Sequence, residues 1–298
     1  MKKIAVTLLV ILAGVGIWYF LFKKEDYRVS FEIESPKGAV YEQILNWNYE
    51  IPFSKKVIHT VNKEPYRKLI QNYTPSKDTL LNIIWELQKK NDSITKVSAL
   101  FTDEHNSFQQ RLQLLLGKSR IKPQSINFSK KFKSYIVKQR NSYKISKIDT
   151  SVFKRRKYLY KTLESTTELK AKTMLIQNGV IMNYIIQNEL TLDGYPFVEV
   201  LSWDKNTDSI KFNFCYPIIE TFNNKNPSIL YAEKERFKAL QILFNGNYNK
   251  SHVAWYAYED YFEHINENKE VLPIEVYQND PQQGGDEMRW ETKVLVPL

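Results

Sequence analysis

The 298-residue sequence predicts an α+β protein in three parts. A transmembrane helix spans 4–22, an antiparallel sheet with a closing helix covers 26–148, and a duplicated βαββ arrangement fills 155–298. Three observations predict this order. The chain opens with nineteen residues free of charge. Period-2 apolar alternation, the mark of half-buried strands, recurs between polar turns. A strand-helix-strand-strand order runs twice through the second half.

The first element is "IAVTLLVILAGVGIWYFLF", Ile4 to Phe22. At 1.5 Å per residue, a helix of that length crosses the roughly 30 Å hydrocarbon core. Lysines flank both ends, and Trp18 and Tyr19 stand where amphipathic rings prefer the membrane interface. The alternative is a cleaved signal peptide. Such a segment has a shorter apolar region followed by small residues, whereas this one ends in Trp-Tyr-Phe-Leu-Phe and lysines. Positive charge on both sides leaves the side of the membrane open.

Composition bounds the rest. Hydrophobic residues at 43% and aromatics at 14% suffice for packed cores and exclude bulk disorder. Cys215 is the single cysteine, so no intrachain disulfide and no thiolate zinc site can form. His59, His105, His252 and His264 lack metal-ligand spacing; no metal and no cofactor is expected. The net charge of +10 is concentrated: fifteen Lys or Arg and one acid, Asp149, lie between Lys118 and Lys161. That stretch is either a solvated helix face and linker or a contact for an anionic partner, such as lipid headgroups or nucleic acid.

In the first soluble region, Tyr27, Val29, Phe31 and Ile33 alternate with polar residues as a strand. Ser35-Pro36 stops it and starts a short helix with Val40, Ile44 and Leu45 on one face. Strands are expected at 56–61, 65–73, 79–88 and 93–102, then helices at 106–117 and 126–140. Phe128, Phe132, Tyr135 and Ile136 stripe the second helix. "RVSFEIESPKGAVYEQILNW" resembles the opening of the SRPBCC (START-like) superfamily, a strand running into a Pro-led helix and a Trp-bearing loop. The resemblance implies a helix-grip-like sheet wrapped on a long helix around an apolar cavity.

In the second region, Lys157–Leu163 reads as a strand, and Ser165-Thr-Thr-Glu168 as a capping box opening a helix with Leu169, Ile176, Val180 and Tyr184 on its apolar side. "DGYPFVEVLSW" and "SIKFNFCYPI" are strands. The second copy has a strand at Phe237–Phe244, a turn at "NGNY" and a helix from Lys250 to Asn266. That helix carries Val253, Ala254, Ala257, Tyr258, Tyr261, Phe262 and Ile265 along one side. The strands "LPIEVYQNDP" and "MRWETKVLVPL" follow. "GYPFVEV" answers "VLPIEVY", and "FCYPI" answers "LVPL". Two βαββ units of this kind would join about a pseudo-twofold axis, with a cleft between their helices.

Residues Asn245–Tyr248, "AWYAYEDYFEHI", Pro273–Tyr277, Asp280-Pro281 and "WETKVLVPL" resemble the GyrI-like small-molecule-binding domain, the effector-binding domain of AraC- and MerR-type regulators. The first half matches more loosely, with Val198 at the place answering Glu275. Alternation sends Glu275 and Tyr277 one way from their strand and Ile274 and Val276 the other. The aliphatic pair suits the core, which turns Glu275 and Tyr277 to the cleft. A carboxylate among aromatic rings must be paired, hydrogen-bonded or protonated. A lipophilic cation satisfies it while the rings add cation–π attraction. The resemblance implies that Glu275 contacts cationic or heteroaromatic ligands. Tyr277, Trp255, Tyr256 and Tyr248 are candidate walls. The competing expectation is that Glu275 braces a neighbouring backbone or pairs with a surface lysine.

Three function classes follow. The leading one is a membrane-anchored protein binding small lipophilic molecules, cations included. The resembled domain normally accompanies a DNA-binding helix-turn-helix, but here the partner region reads as strands behind an anchor, so neither nucleic acid nor a role in transcription is expected. The second is a hydrolase of reactive small molecules, as some GyrI-like proteins are, with Glu275 as general base; no Ser/His/Asp or Cys/His set supports a nucleophilic route. The third is an interaction scaffold.

Overall fold

The computed structural model describes residues 2–47, 58–76, 79–91, 94–222, 226–279 and 284–298. The start of the strand expected at 56–61 and the Asp280-Pro281 pair lie outside them. The chain divides into two compact units, one up to Val137 and one from Lys138 onward.

Unit one begins with helix α1, Lys2–Ile17, continued by a π-helical turn, Trp18–Phe22. Together Lys3–Phe22 form a helix long and apolar enough to cross a membrane, and most of its hydrophobic side chains are exposed. β1 (Tyr27–Ile33) follows, with the expected alternation of burial, then α2 (Lys37–Asn46), which buries Val40 and Ile44. Four antiparallel strands come next: β2 (Ile58–Glu64), β3 (Lys68–Ser76), β4 (Thr79–Asn91) and β5 (Ile94–Asp103). Their order is β1-β5-β4-β3-β2. Helices α3 (Ser107–Leu115) and α4 (Ile121–Arg140) close the unit. α4 lays Phe128 and Phe132 against Trp47, Tyr73 and Trp85 at centroid distances of 4.7–4.9 Å. These ring contacts lie between helix and sheet, where the SRPBCC resemblance implies a cavity. Gln71 joins the core by accepting from Trp85 Nε1 at 2.9 Å and donating to the Ile44 carbonyl at 3.3 Å.

Unit two contains β6 (Tyr143–Ile145), β7 (Asp149–Phe153), β8 (Arg156–Thr166), α5 (Lys170–Gln187), β9 (Phe197–Asp204), β10 (Ser209–Ile218), β11 (Leu230–Lys234), β12 (Phe237–Gly246), α6 (Val253–His264), β13 (Ile274–Tyr277) and β14 (Glu291–Pro297). The sheet order is β11-β8-β10-β9-β13-β14-β12-β6, with β7 also paired to β12. Every pairing is antiparallel. In chain order β8, α5, β9 and β10 precede β11, and β12, α6, β13 and β14 follow it; β9 and β13 meet at the middle of the sheet. Gly246 ends β12 at φ +150°, where a Cβ would stand 2.9 Å from that of Tyr143; only glycine fits there.

Two local expectations fail. Ser165 does not cap α5, because β8 runs on to Thr166, with Ser165 opposite Ile210. Its hydroxyl meets that of Thr173 at 3.0 Å, and Thr166 Oγ1 accepts the Leu169 N–H at 3.3 Å instead. The apolar side expected for α5 faces outward: Leu169, Ile176 and Val180 are exposed, while Met174, Ile181 and Ile185 are buried. This helix is apolar on nearly all sides, so spacing does not choose which stripe the sheet covers.

Candidate functional site

β13 lies between two strands, so its backbone is fully paired. Glu275 stands opposite Val198 on β9 and Val294 on β14. Ile274 and Val276 join Phe197, Cys215 and Leu295 in one core cluster. Glu275 reaches groups carried by α5 and α6, and Tyr277 reaches Glu275 and the Tyr248 ring between β12 and α6. All four β13 residues are buried, so neither face of the strand meets solvent.

Glu275 is 0% exposed, and so is Lys170 in the first turn of α5. The Lys170 ammonium pairs with Glu275 Oε2. It also donates to Ser251 Oγ at 2.9 Å and stands 4.6 Å from the centre of the Trp255 ring. Trp255 Nε1 donates to Glu275 Oε1 at 2.7 Å, and the Tyr277 hydroxyl donates to Oε2 at 2.5 Å. The Ser251 hydroxyl donates to the Tyr248 carbonyl at 2.9 Å. The Tyr248 ring lies 4.8 Å from that of Tyr277, and its hydroxyl donates to the Asn279 carbonyl at 2.9 Å. Tyr256 reaches the group through Trp203, which is 5.6 Å from it and 5.4 Å from Trp255.

The five residues expected at the site, Glu275, Tyr277, Trp255, Tyr256 and Tyr248, therefore form one connected cluster, every member buried. Trp255 and Tyr256, which fall beside the apolar stripe of α6, are covered too; the helix is buried over most of its circumference. The acid's partner is a lysine, but a fully buried one. Lys170 escapes sequence reasoning because it stands in a Lys-Ala-Lys run whose second lysine, Lys172, is exposed. No pattern in the chain separates the two.

Electrostatics follow from burial and pairing. Burial opposes charge on Glu275, yet the Lys170 ammonium and the hydrogen bonds from Lys170, Tyr277 and Trp255 hold its carboxyl below the usual carboxylate value. Burial lowers Lys170 from the ordinary lysine value, and Glu275 works against that shift. Burial and then the Glu275 charge push the Tyr277 hydroxyl well up, so it remains a donor. Chemically the arrangement is an ammonium site: a carboxylate, a hydroxyl acceptor and an indole face around one cation. It is poorly arranged for general-base work, because both Glu275 oxygens already accept from protein donors and neither meets solvent.

No family model and no curated protein matches the sequence. Solved structures offer distant likenesses. The C-terminal domain of EcmrR superposes with a TM-score of 0.43 at 16% identity, over 52% of this chain and 96% of that one. EcmrR in a DNA complex gives 0.44 at 15%, over 64% and 70%. A hydrolase from Listeria innocua gives 0.32 at 14%, over 51% and 91%. At these scores none assigns a family or a ligand to this chain.

Proposed function

We propose that this is a membrane-anchored small-molecule-binding protein whose second unit takes lipophilic cations at Glu275, and that it is not a DNA-binding regulator. The observation that carries this is the Lys170 ammonium seated against the Glu275 carboxylate and over the Trp255 ring. Those groups already hold one ammonium, so they have the chemistry to hold another. A ligand would take the place of the Lys170 head. The sheet order, with β9 and β13 at its middle, supports two related βαββ units, and the GyrI-like motifs support a ligand-binding role. The exposed apolar helix Lys3–Phe22 supports the anchor. Of the fifteen basic residues from 118 to 161, most are exposed, which suits contact with anionic headgroups.

The test is a titration of the detergent-solubilised full chain with hydrophobic primary and quaternary amines, followed by tryptophan fluorescence. Lys170→Met empties the ammonium position and is expected to tighten binding at least tenfold, about 1.4 kcal/mol. Glu275→Gln is expected to abolish it. A second reading, a scaffold whose buried pair serves stability alone, is favoured by the complete burial of the cluster. It stands if neither the wild type nor a folded Lys170→Met variant binds any amine.

A further inference from the structure

Helix α3 carries an uncovered apolar face next to the end of the N-terminal helix. Phe108, Leu112, Leu115 and Leu116 recur at i, i+4, i+7 and i+8, one stripe of a helix. They are between 44% and 64% exposed. The opposite side of α3 faces its own unit, with Gln110 and Arg111 buried and Leu114 against the core. Arg111 fixes the geometry. Its Nη1 donates to the carbonyls of Tyr19 at 2.9 Å and Phe20 at 3.1 Å, its Nη2 to that of Lys23 at 2.7 Å, and its Nε pairs with Asp26 at 2.6 Å. Those are carbonyls that a helix end leaves without partners. The Phe20 ring meets the Phe108 ring at 5.0 Å. The stripe is thereby held at the level where the apolar run ends at Phe22 and lysines begin. Gly117 follows α3, and three exposed basic residues come within the next five positions.

We propose that α3 is a second membrane contact. Its Phe108, Leu112, Leu115 and Leu116 side chains enter the headgroup–acyl boundary of the bilayer that Lys3–Phe22 crosses. Lys23, Lys24, Lys118, Arg120 and Lys122 meet anionic headgroups around them. The proposal rests on the membrane-anchored reading above and adds an orientation to it: unit one lies against the surface rather than swinging on a tether. The occupant is lipid because the stripe continues the apolar surface of the spanning helix and is bordered in sequence by cations. That combination, an apolar face with basic flanks, is what an interfacial helix uses.

Site-directed spin labelling of the full chain in nanodiscs containing phosphatidylserine tests this. Cys215 is buried and stays in place. Nitroxides are attached at Ile11→Cys, Lys96→Cys and Leu115→Cys, and collision rates with oxygen and with a water-soluble nickel complex are measured. The expected result is oxygen access with nickel shielding at Ile11 and Leu115. The nickel collision rate at Leu115 is expected to be several-fold below that at Lys96, an exposed position on β5 six residues from Thr102, whose hydroxyl donates to the Lys24 carbonyl. Equal nickel access at Leu115 and Lys96, with Ile11 shielded, would overturn the interfacial contact and leave the anchor intact. Shielding of Leu115 from both reagents would overturn it in favour of a protein partner. Nickel access at Ile11 would remove the anchor and this proposal with it.

Discussion

A lysine ammonium with no solvent contact persists only where a counter-charge and acceptors surround it, since unpaired burial of charge costs several kcal/mol. Lys170 meets that condition through Glu275 and Ser251. Glu275→Gln leaves the ammonium unbalanced and is expected to destabilise the chain by about 3–5 kcal/mol in denaturant melts. The double variant Lys170→Met, Glu275→Leu is expected to recover most of that loss, because a buried pair replaced by apolar groups is often neutral. The pH dependence has a definite sign. The folded carboxyl of Glu275 titrates below its ordinary 4.5, so its contribution is present above that value and lost as pH falls through the folded one. The stability of the wild type relative to the double variant should therefore fall in acid below about 4.5. A relative stability that rose in acid would contradict the pairing. Strand alternation makes Glu275 visible in the sequence as an acid that must be satisfied. The donor is not visible, because Lys170 lies 105 positions away and only the fold brings it close.

Among the elements, strands with clear alternation, such as β1 and β3, are legible because period 2 has one solution once a face is buried. β6 and β7 are too short to show a clear alternation, and both pair with β12. α5 shows the opposite limit. Its apolar residues permit several stripes, and contact with the sheet selects Met174, Ile181 and Ile185. Alanine at Ile181 is expected to cost about 2–5 kcal/mol by leaving a core cavity. Alanine at the exposed Ile176 should stay within about 0.5 kcal/mol. Comparable losses at the two sites would show that the outer face of α5 is covered in the intact protein.

For the molecule as a whole, the decisive joint is the one between the N-terminal helix and the rest of unit one. Asp26 accepts from Ser107 at 2.5 Å, from the Asp103 N–H at 2.8 Å and from Arg111, and both ions of the pair are buried. Arg111→Met is expected to speed hydrogen exchange of the Lys23–Asp26 amides by at least tenfold, about 1.4 kcal/mol of lost protection. Exchange in β8 to β10 of unit two should not change. Uniform acceleration across both units would mean global destabilisation instead of a loosened joint. The sequence alone determined the apolar helix, the antiparallel strands and the pointing of Glu275, because each follows from local periodicity and from the energy of placing apolar groups in water. The tertiary structure alone decided that Lys170 answers Glu275, that Arg111 grips the end of the N-terminal helix and which side of α5 is covered. Those outcomes depend on residues distant in the chain meeting at low dielectric, where one charge must find its partner and no local pattern records which one it finds.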